Sequence, residues 1–444
     1  MGTRSIFADD FSTEPWWWND AAPVAYLDPP PGSADVVVVG AGYAGLSAAT
    51  ELAENGRSVV VLDVRRVGEG ASGRNAGLVS GRQGISKMID LVGYVGEARA
   101  AAILDEADDA YHHFQKLVAD HAPGAFQDRG RFVAARSPLA FRKLEKKFAE
   151  YESARGAGDD DTGQALVARA DVGRFVGSDV FHGGMASRDA GLVHPARFVH
   201  GLRRRADAAG VQIHTGARVT AIATPRAGSA SVSLDGGRAV SAADIVLATN
   251  GYTDRSAPWQ RARIVPMSST IIALERLGRD RVRELLPAMT TFIDTNRVIV
   301  YARPTPDGEG ILFGGRARFR PVSEETSARI LYDQMVRIFP SLDGVQVTNS
   351  WSGSMAFTPD FLPKIGRHEG LWYALGCNGG SGVVLMPWLG RAVARRVLGV
   401  TEPTSNLEGL PFTRQPLGRF TSKFVAAAGI WYRLRDEIDN RRRA

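Results

Sequence analysis

The feature that most constrains this 444-residue chain is a run of four valines at 36–39 that breaks directly into Gly40-Ala41-Gly42-Tyr43-Ala44-Gly45. A short, continuous apolar run bounded by glycine reads as a strand buried on both faces. Helical spacing follows over 43–54 and stops at Gly56, and 58–63 reads as a second buried strand. Strand, helix and strand within about 30 residues form a βαβ unit, whose strands must be parallel. In that setting G-x-G-x-x-G is a dinucleotide fingerprint. Gly40 makes the tight turn, Gly42 admits a pyrophosphate against the backbone, and Gly45 lets the helix pack closely on the sheet. The first helical turn, with Tyr43 and Ala44, offers N–H groups and a positive dipole end to phosphates. Asp63 ends the second strand, where a carboxylate suits a ribose hydroxyl and repels a 2′-phosphate.

The fingerprint alone does not separate FAD from NAD, but three further segments favour FAD. Residues 67–79, VGEGASGRNAGLV, put Ser72, Arg74 and Asn75 among four glycines close to the first βαβ unit. Backbone donors, a hydroxyl and a guanidinium there suit a pyrophosphate that carries a second large head group. Residues 244–252 form a buried strand ending in small polar residues, which would return beside the cofactor. Residues 375–390, LGCNGGSGVVLMPWLG, place Gly376, Gly379, Gly380 and Gly382 ahead of a helix. Glycines let the backbone approach a flat ring, and the helix N-terminus can stabilise negative charge on the N1–C2=O edge of a reduced flavin.

Helical spacing also fills 85–121, 139–155, 196–209, 324–339 and 383–398, with a loop over 156–163. Strand patterns occupy 211–213, 219–223, 231–234, 245–248 and 371–375. Residues 264–318 look antiparallel around the turn TPDGEG. Parallel βαβ material at both ends and in the middle, with antiparallel material between, predicts an α/β fold in which a Rossmann-type FAD-binding domain is interleaved with a mainly antiparallel-sheet substrate domain. The expected FAD-binding domain comprises 33–125, 190–262 and 350–412, and the substrate domain 126–189 and 263–349. Residues 1–32, with Trp16, Trp17 and Trp18, form an aromatic arm expected to pack on the domain surface. Residues 413–444 form a basic amphipathic helix. Its stripe of Phe420, Phe424, Trp431, Leu434 and Ile438 is expected to pack against the protein rather than lie on a membrane.

Composition narrows the function classes. No segment approaches the roughly 20 apolar residues of a membrane span, and the N-terminus lacks the apolar core of a signal peptide. A single cysteine, Cys377, rules out an internal disulfide and a Cys-ligated zinc or iron–sulfur site. These readings make a cytoplasmic location the default. The net charge of +6 is concentrated near the C-terminus, without the basic stripe of a nucleic-acid binder. His112 and His113 have no acidic or cysteine partners at ligand spacing, so no metal is expected.

Several segments together resemble the glycine oxidase, sarcosine oxidase and D-amino-acid oxidase family of FAD-dependent oxidoreductases, and within it the gamma-glutamylputrescine oxidase-like branch. They are VVVVGAGYAGLSAATELAENGRSVVVLD, GASGRNAG, DAGLVHPARFVHGLRRRADAAGV, ADIVLATNGYT, IVPMSST, the ILFGG hairpin, SMAFTPDFLPKIG leading into LGCNGGSGV, and WYRLRD. The resemblance spans about residues 33–438. It implies oxidation of a C–N bond in a small amine or amino acid by hydride transfer to flavin N5, imine hydrolysis, and reoxidation by O₂ with release of H₂O₂. Carried over by position, Gly40, Gly42, Gly45 and Asp63 hold the ADP half. Ser72, Arg74 and Asn75 follow the pyrophosphate and ribityl chain. Val219, Ala248, Thr249 and Gly251 flank the adenosine side, and Gly380, Ser381 and Gly382 lie by the flavin ring. This sequence departs from the family at the histidine of the last glycine loop (Ser381), at a carboxylate-binding lysine (Val384), at an oxygen-activating lysine (Leu312) and at the covalent-flavin cysteine (Gly353 or Ser354). Non-covalent FAD is therefore expected. The alternatives are a flavin dehydrogenase that passes electrons to a carrier and a flavin-retaining assembly protein without turnover. Tyr301, Arg303, Arg316, Trp351 and Ser381 are placed on the substrate side, with Arg303 and Arg316 available to a distant carboxylate. His194 is read as structural.

Overall fold

The computed structural model describes residues 5–81, 84–85, 90–153, 163–226, 229–315, 322–380, 382–415 and 421–441. Two large sheets organise it. In the first, parallel strands Gln212–Thr215, Val59–Asp63, Ser33–Val39, Ala239–Leu247 and Leu371–Leu375 lie side by side. The valine run pairs Val36 with Val59 and Val39 with Leu62. An antiparallel flap, Val219–Arg226 with Ser229–Leu234, extends this sheet from the first half of Ala239–Leu247. Helices Tyr43–Glu54, Pro195–Ala208, Glu97–His121 and Gly382–Val397 bury apolar faces on one another and on the parallel strands.

The second sheet has nine strands among the described residues. Toward one edge the long strands Val347–Phe357 and Val265–Leu274 run antiparallel, with Ile311–Gly315, Val300–Pro304 and Thr291–Asp294 following in order beside Val265–Leu274. The far edge continues through Arg131–Ala134, Gly184–Ser187 and Gln164–Val167. Helix Glu324–Ile338 covers its outer face. Chain order therefore alternates between the two sheets, as the βαβ and antiparallel patterns predict.

Three expectations need correction. The arm does not merely rest on a surface. Phe7–Ser12 adds a parallel edge strand to the nine-stranded sheet beside Val347–Phe357. Trp17 is wholly buried between the sheets and its Nε1 donates to the Asn75 carbonyl at 3.0 Å. Farther along, Val24 bridges Val67, and Tyr26 and Thr215 exchange hydrogen bonds, so the arm also borders the parallel sheet. The helix expected over 85–121 is two helices, Leu91–Val95 and Glu97–His121, separated at Gly96, whose φ of 80° no helix accommodates. The C-terminal helix Thr421–Arg441 forms, but Trp431, Leu434 and Ile438 point to solvent rather than into the protein. The loop expected at 156–163 lies outside the described residues except for Gly163.

Trp17 provides a test of the arm. Trp17→Ala would leave a large cavity between the sheets and should lower stability by about 3–5 kcal/mol, measured by urea denaturation of the flavin-loaded protein. A loss within the range of an ordinary surface substitution, about 0.5 kcal/mol, would return the arm to a surface role.

Candidate active site

Among the described residues a large cavity of about 1270 Å³ runs between the two sheets. Single ligands usually occupy about 300–1,000 Å³, so there is room for a cofactor and a substrate together. One end is built by the βαβ unit. Gly40 turns at φ 109°, and a side chain there would meet the Ala248 carbonyl at 2.9 Å. A Cβ on Gly42 would lie 2.9 Å from Ser72 Oγ, and one on Gly45 would lie 1.8 Å from the Gly40 carbonyl oxygen. Gly40, Gly42, Tyr43 and Ala44 line the cavity, whereas Gly45 lies outside it and serves packing. Val219, Ala248 and Thr249 line the same end. Gly251 turns away, fitting against the backbone of Ser354 and Met355.

Asp63 reaches this end with both oxygens engaged. Oδ2 accepts from the Ala41 amide at 2.7 Å and Oδ1 from the Arg65 amide at 2.8 Å. Burial raises its pKa above the usual carboxylate value against the pull of those two amides. Ser72 Oγ accepts from the Tyr43 amide at 3.1 Å, which joins the second glycine segment to the first helix. Arg74 lines the cavity with its guanidinium 4.6 Å from the Trp18 ring. Its Nε donates to the Glu69 carbonyl, and burial depresses its pKa. The side chain of Asn75 is committed to protein: Nδ2 donates to the Ala71 and Ser72 carbonyls and Tyr43 Oη, and Oδ1 accepts from Gly77.

The middle and far parts come from the last glycine loop and the nine-stranded sheet. Gly380 and Gly382 line the cavity, as does the buried Cys377. Helix Gly382–Val397 starts here. Opposite, alternate residues of the two long strands, Met267, Ser269 and Ile271 with Gly353, Met355 and Phe357, form one wall. The two-residue period of a strand puts them on one face. Tyr301 joins this wall, its ring lying where a side chain at the paired Gly314 would stand. Burial pushes the Tyr301 hydroxyl up to about 12, tempered by a hydrogen bond with Ser269.

Of the residues expected on the substrate side, the structure places Tyr301 in the cavity but neither Arg303 nor Trp351. Both lie on the correct strand face and are covered by other segments. Trp351 is fully buried, and its Nε1 donates to the Arg74 carbonyl at 2.8 Å. Arg303 donates to the carbonyls of Pro304, Ala76 and Val193, with Trp17 5.1 Å away. Burial lowers its pKa to about 9. A distant substrate carboxylate therefore cannot reach Arg303. Arg316 and Ser381 lie outside the described residues.

Sequence reasoning missed Arg131, Lys147 and Asp294, which line the cavity from the far edge of the nine-stranded sheet and helix Pro138–Ser153. Burial lowers Arg131 to about 10, and Lys147 is lowered by burial and by the Arg131 charge. Asp294 is buried. Its Oδ1 accepts from the Val300 amide at 3.0 Å, while Oδ2 has no hydrogen bond and faces Arg136 Nε at 4.0 Å. Burial raises its pKa to about 7. No local motif marks these positions; only the strand order brings them together.

His194 caps helix Pro195–Ala208. Its Nδ1 accepts from the Arg197 amide at 3.2 Å, so the proton sits on Nε2, 3.3 Å from Asp20. Burial lowers its pKa to about 4. No cluster of three or more His, Cys, Asp or Glu residues suited to a metal occurs among the described residues, and no described helix is long and apolar enough to cross a membrane.

This geometry fits FAD: glycines where side chains would fill the cradle, a helix start and a carboxylate at one end, and a flat glycine-lined wall in the middle. The profile of the family described as FAD dependent oxidoreductase matches residues 35–396. This chain belongs to that family. Among relatives of this FAD oxidoreductase, the gamma-glutamylputrescine oxidoreductase of Escherichia coli (strain K12) is 30% identical over 415 residues, covering 91% of this chain and 93% of that protein. A probable oxidoreductase, OrdL, of Rhizobium meliloti (strain 1021) is 28% identical over 428 residues, 95% of this chain and 97% of its own. The fold is similar to glycine oxidase from Geobacillus kaustophilus, with TM-score 0.69 at 19% identity, covering 87% of this chain and 100% of that one. It is also similar to L-proline dehydrogenase from P. horikoshii, with TM-score 0.65 at 18% identity, covering 85% and 98%.

Two predictions follow from this geometry. Gly42→Val puts a branched side chain against Ser72 and into the cradle, and should yield protein without bound flavin by absorbance; retained flavin would place the cofactor elsewhere. His194 concerns pH. The unfolded chain protonates this ring below its ordinary value of 6.5, while the folded protein resists protonation down to about 4. Stability contributed by the neutral ring is thus complete above 6.5 and declines as pH falls toward 4. At pH 5 the expected loss is up to about 2 kcal/mol. His194→Asn, which keeps an N-cap acceptor, should shrink the difference in urea midpoint between pH 7 and pH 5; an unchanged difference would contradict the assignment.

Proposed function

We propose that this FAD oxidoreductase oxidises the C–N bond of a small amine or amino acid, with O₂ as the electron acceptor. In this reading residues 33–125, 190–262 and 350–412 hold the cofactor, and 126–189 with 263–349 face the substrate. The observation that carries it is the continuity of one cavity from the Gly40–Asp63 end to a lobe holding Asp294, Arg131 and Tyr301. The relative named gamma-glutamylputrescine oxidoreductase supports an amine donor.

Bound FAD supplies a two-electron acceptor, and the protein supplies position and charge. Asp294, with one unbonded oxygen and a pKa near 7, suits an ammonium group and can take its proton, leaving the neutral amine that hydride transfer requires. Arg131 and Lys147 give the same lobe cations for a carboxylate remote from the reacting carbon. Val384 is buried and leaves the start of helix Gly382–Val397 without a cation there, so an α-carboxylate beside the last glycine loop would be left unpaired, at a cost of several kcal/mol. Ile271 and Met267 make the neighbouring wall apolar and exclude water.

The FAD is held without a covalent bond in this reading, because Gly353 and Ser354 stand where the resemblance puts the tether. Acid precipitation should release all flavin into solution from wild type and Cys377→Ser alike. Flavin that stays with wild-type protein but not with the serine variant would identify Cys377 as a tether.

The reaction is tested by anaerobic flavin bleaching with sarcosine and with a long amine bearing a distant carboxylate, followed by admission of air. The long amine should bleach the flavin, sarcosine should not, and air should restore the colour with release of H₂O₂. Arg131→Met should raise KM for the carboxylate-bearing amine by roughly tenfold or more, the range for a lost charge-assisted contact, with little change for an uncharged amine of similar length. Bleaching by sarcosine alone would overturn the substrate reading. Slow recovery in air with fast recovery by an artificial dye would replace O₂ with a carrier.

A further inference from the structure

We propose that Asp436 of the C-terminal helix is a positioning residue for Asp294, holding from outside the turn that follows Asp294 at the cavity wall. The inference rests on the reading of Asp294 as the group that takes the proton of the substrate ammonium. Strands Thr291–Asp294 and Val300–Pro304 are joined by residues 295–299, and two aspartates hold the amides of that turn. From within, Asp294 Oδ1 accepts from the Val300 amide at 3.0 Å. From helix Thr421–Arg441, Asp436 Oδ1 accepts from the Arg297 amide at 3.1 Å and Oδ2 from the Val298 amide at 3.0 Å. Arg297 Nη1 donates to Asp436 and Asp439, at 2.9 Å from each, and Asn440 Nδ2 donates to Asn296 Oδ1 at 3.2 Å. Both oxygens of the buried Asp436 are thus engaged, which is what burial of a carboxylate requires. The helix is part of the cavity wall: Tyr432, Asp436, Asp439 and Asn440 line it together with residues 293–297. Tyr432 is also 42% exposed, which places the helix at the rim.

The same contacts bring charge to bear on Asp294. Arg136 faces its unbonded Oδ2, with Nε at 4.0 Å, and Asp436 acts from the helix. Arg297 lies between Asp436 and Asp439 and balances one of the two. Arg131 pairs with Thr291 on the neighbouring strand, and Lys147 lines the same cavity. Burial raises the Asp294 pKa to about 7 against the pull of the Val300 and Asn296 amides and of Arg136, and the Asp436 charge adds to the rise. A neighbouring like charge disfavours the ionised form. Asp436 therefore acts on Asp294 in two ways: it fixes the backbone that follows it, and it holds the proton on its carboxyl to a higher pH.

The test is the pH dependence of anaerobic flavin reduction by one long amine in the flavin-loaded full-length protein, read below saturation, where the profile reports the free protein. In wild type the rate should rise with pH through a midpoint near 7, as Asp294 loses its proton. Asp436→Asn removes the like charge and one acceptor for the turn, so the midpoint should fall by about half a pH unit or more. Arg297→Met keeps the backbone amides but leaves the Asp436 charge unbalanced, so the midpoint should rise by a similar amount. The affinity for an unreactive amine, titrated by flavin absorbance over the same range, should shift in the same order. Asp294→Asn should abolish the rise altogether. A purely structural role for Asp436 would lower the thermal midpoint and leave the pH midpoint where it was. A rise that survives in Asp294→Asn would remove Asp294 as the proton acceptor, and this inference with it. A rise lost in Asp294→Asn, but unmoved or moved the other way in the Asp436 and Arg297 variants, would overturn the inference and leave the reading of Asp294 standing. Should Asp436→Asn not fold, Arg297→Met decides alone by the same criterion.

Discussion

The helix Tyr43–Glu54 is held between two backbone contacts, and the rest of the site depends on them. On one side Gly45 lies so close to the Gly40 turn that a methyl group would stand 1.8 Å from the Gly40 carbonyl oxygen. On the other, Gly390 of helix Gly382–Val397 approaches Ala44 so closely that a Cβ would stand 2.1 Å from the Ala44 carbonyl oxygen. These contacts draw together two helices that both begin at the cavity, so two positive helix ends converge on one space. A cofactor with phosphates at one end and a ring that gains negative charge at the other is suited by that arrangement.

The second constraint is the seam between the sheets. Trp17, Trp351 and Arg303 fill it, and each is tied to backbone of the glycine segment after Asp63: Trp17 to Asn75, Trp351 to Arg74 and Arg303 to Ala76. The buried guanidinium of Arg303 is solvated by carbonyls rather than by a carboxylate. Loss of any one of these groups would leave polar backbone unsatisfied in a region with little access to water. The cavity walls are therefore fixed from behind, and Tyr301, Ile271 and Gly353 inherit their positions from that packing.

Much of this was legible in the sequence. The valine run and Gly40–Gly45 carry their meaning locally, because a glycine turn between a buried strand and a helix permits few alternatives. The antiparallel pattern along 264–275 marks a strand of which one face lines the cavity, whereas the partner strand over 347–357 was not read from the sequence. What local pattern cannot show is which part of that face another segment covers. Trp351 and Arg303 have the right orientation, but the helix Ala71–Arg74 and the arm lie over them. Arg131, Lys147 and Asp294 carry no motif, since their meeting depends on a strand order spanning residues 131 to 301. The C-terminal stripe was misjudged because Asp436 and Asp439 look like solvent-facing charges until Arg297, more than a hundred residues earlier, is placed beside them.

The central claim is that one cavity holds the cofactor at its glycine end and the substrate against the nine-stranded sheet. A crystal structure of the yellow protein with an unreactive amine tests it most directly. The account predicts the adenosine between Asp63 and Val219, the flavin ring between Gly380 and the Ser269–Tyr301 wall, and the amine within hydrogen-bonding reach of Asp294. A flavin ring lodged elsewhere, or an amine bound on the far side of that sheet, would contradict it.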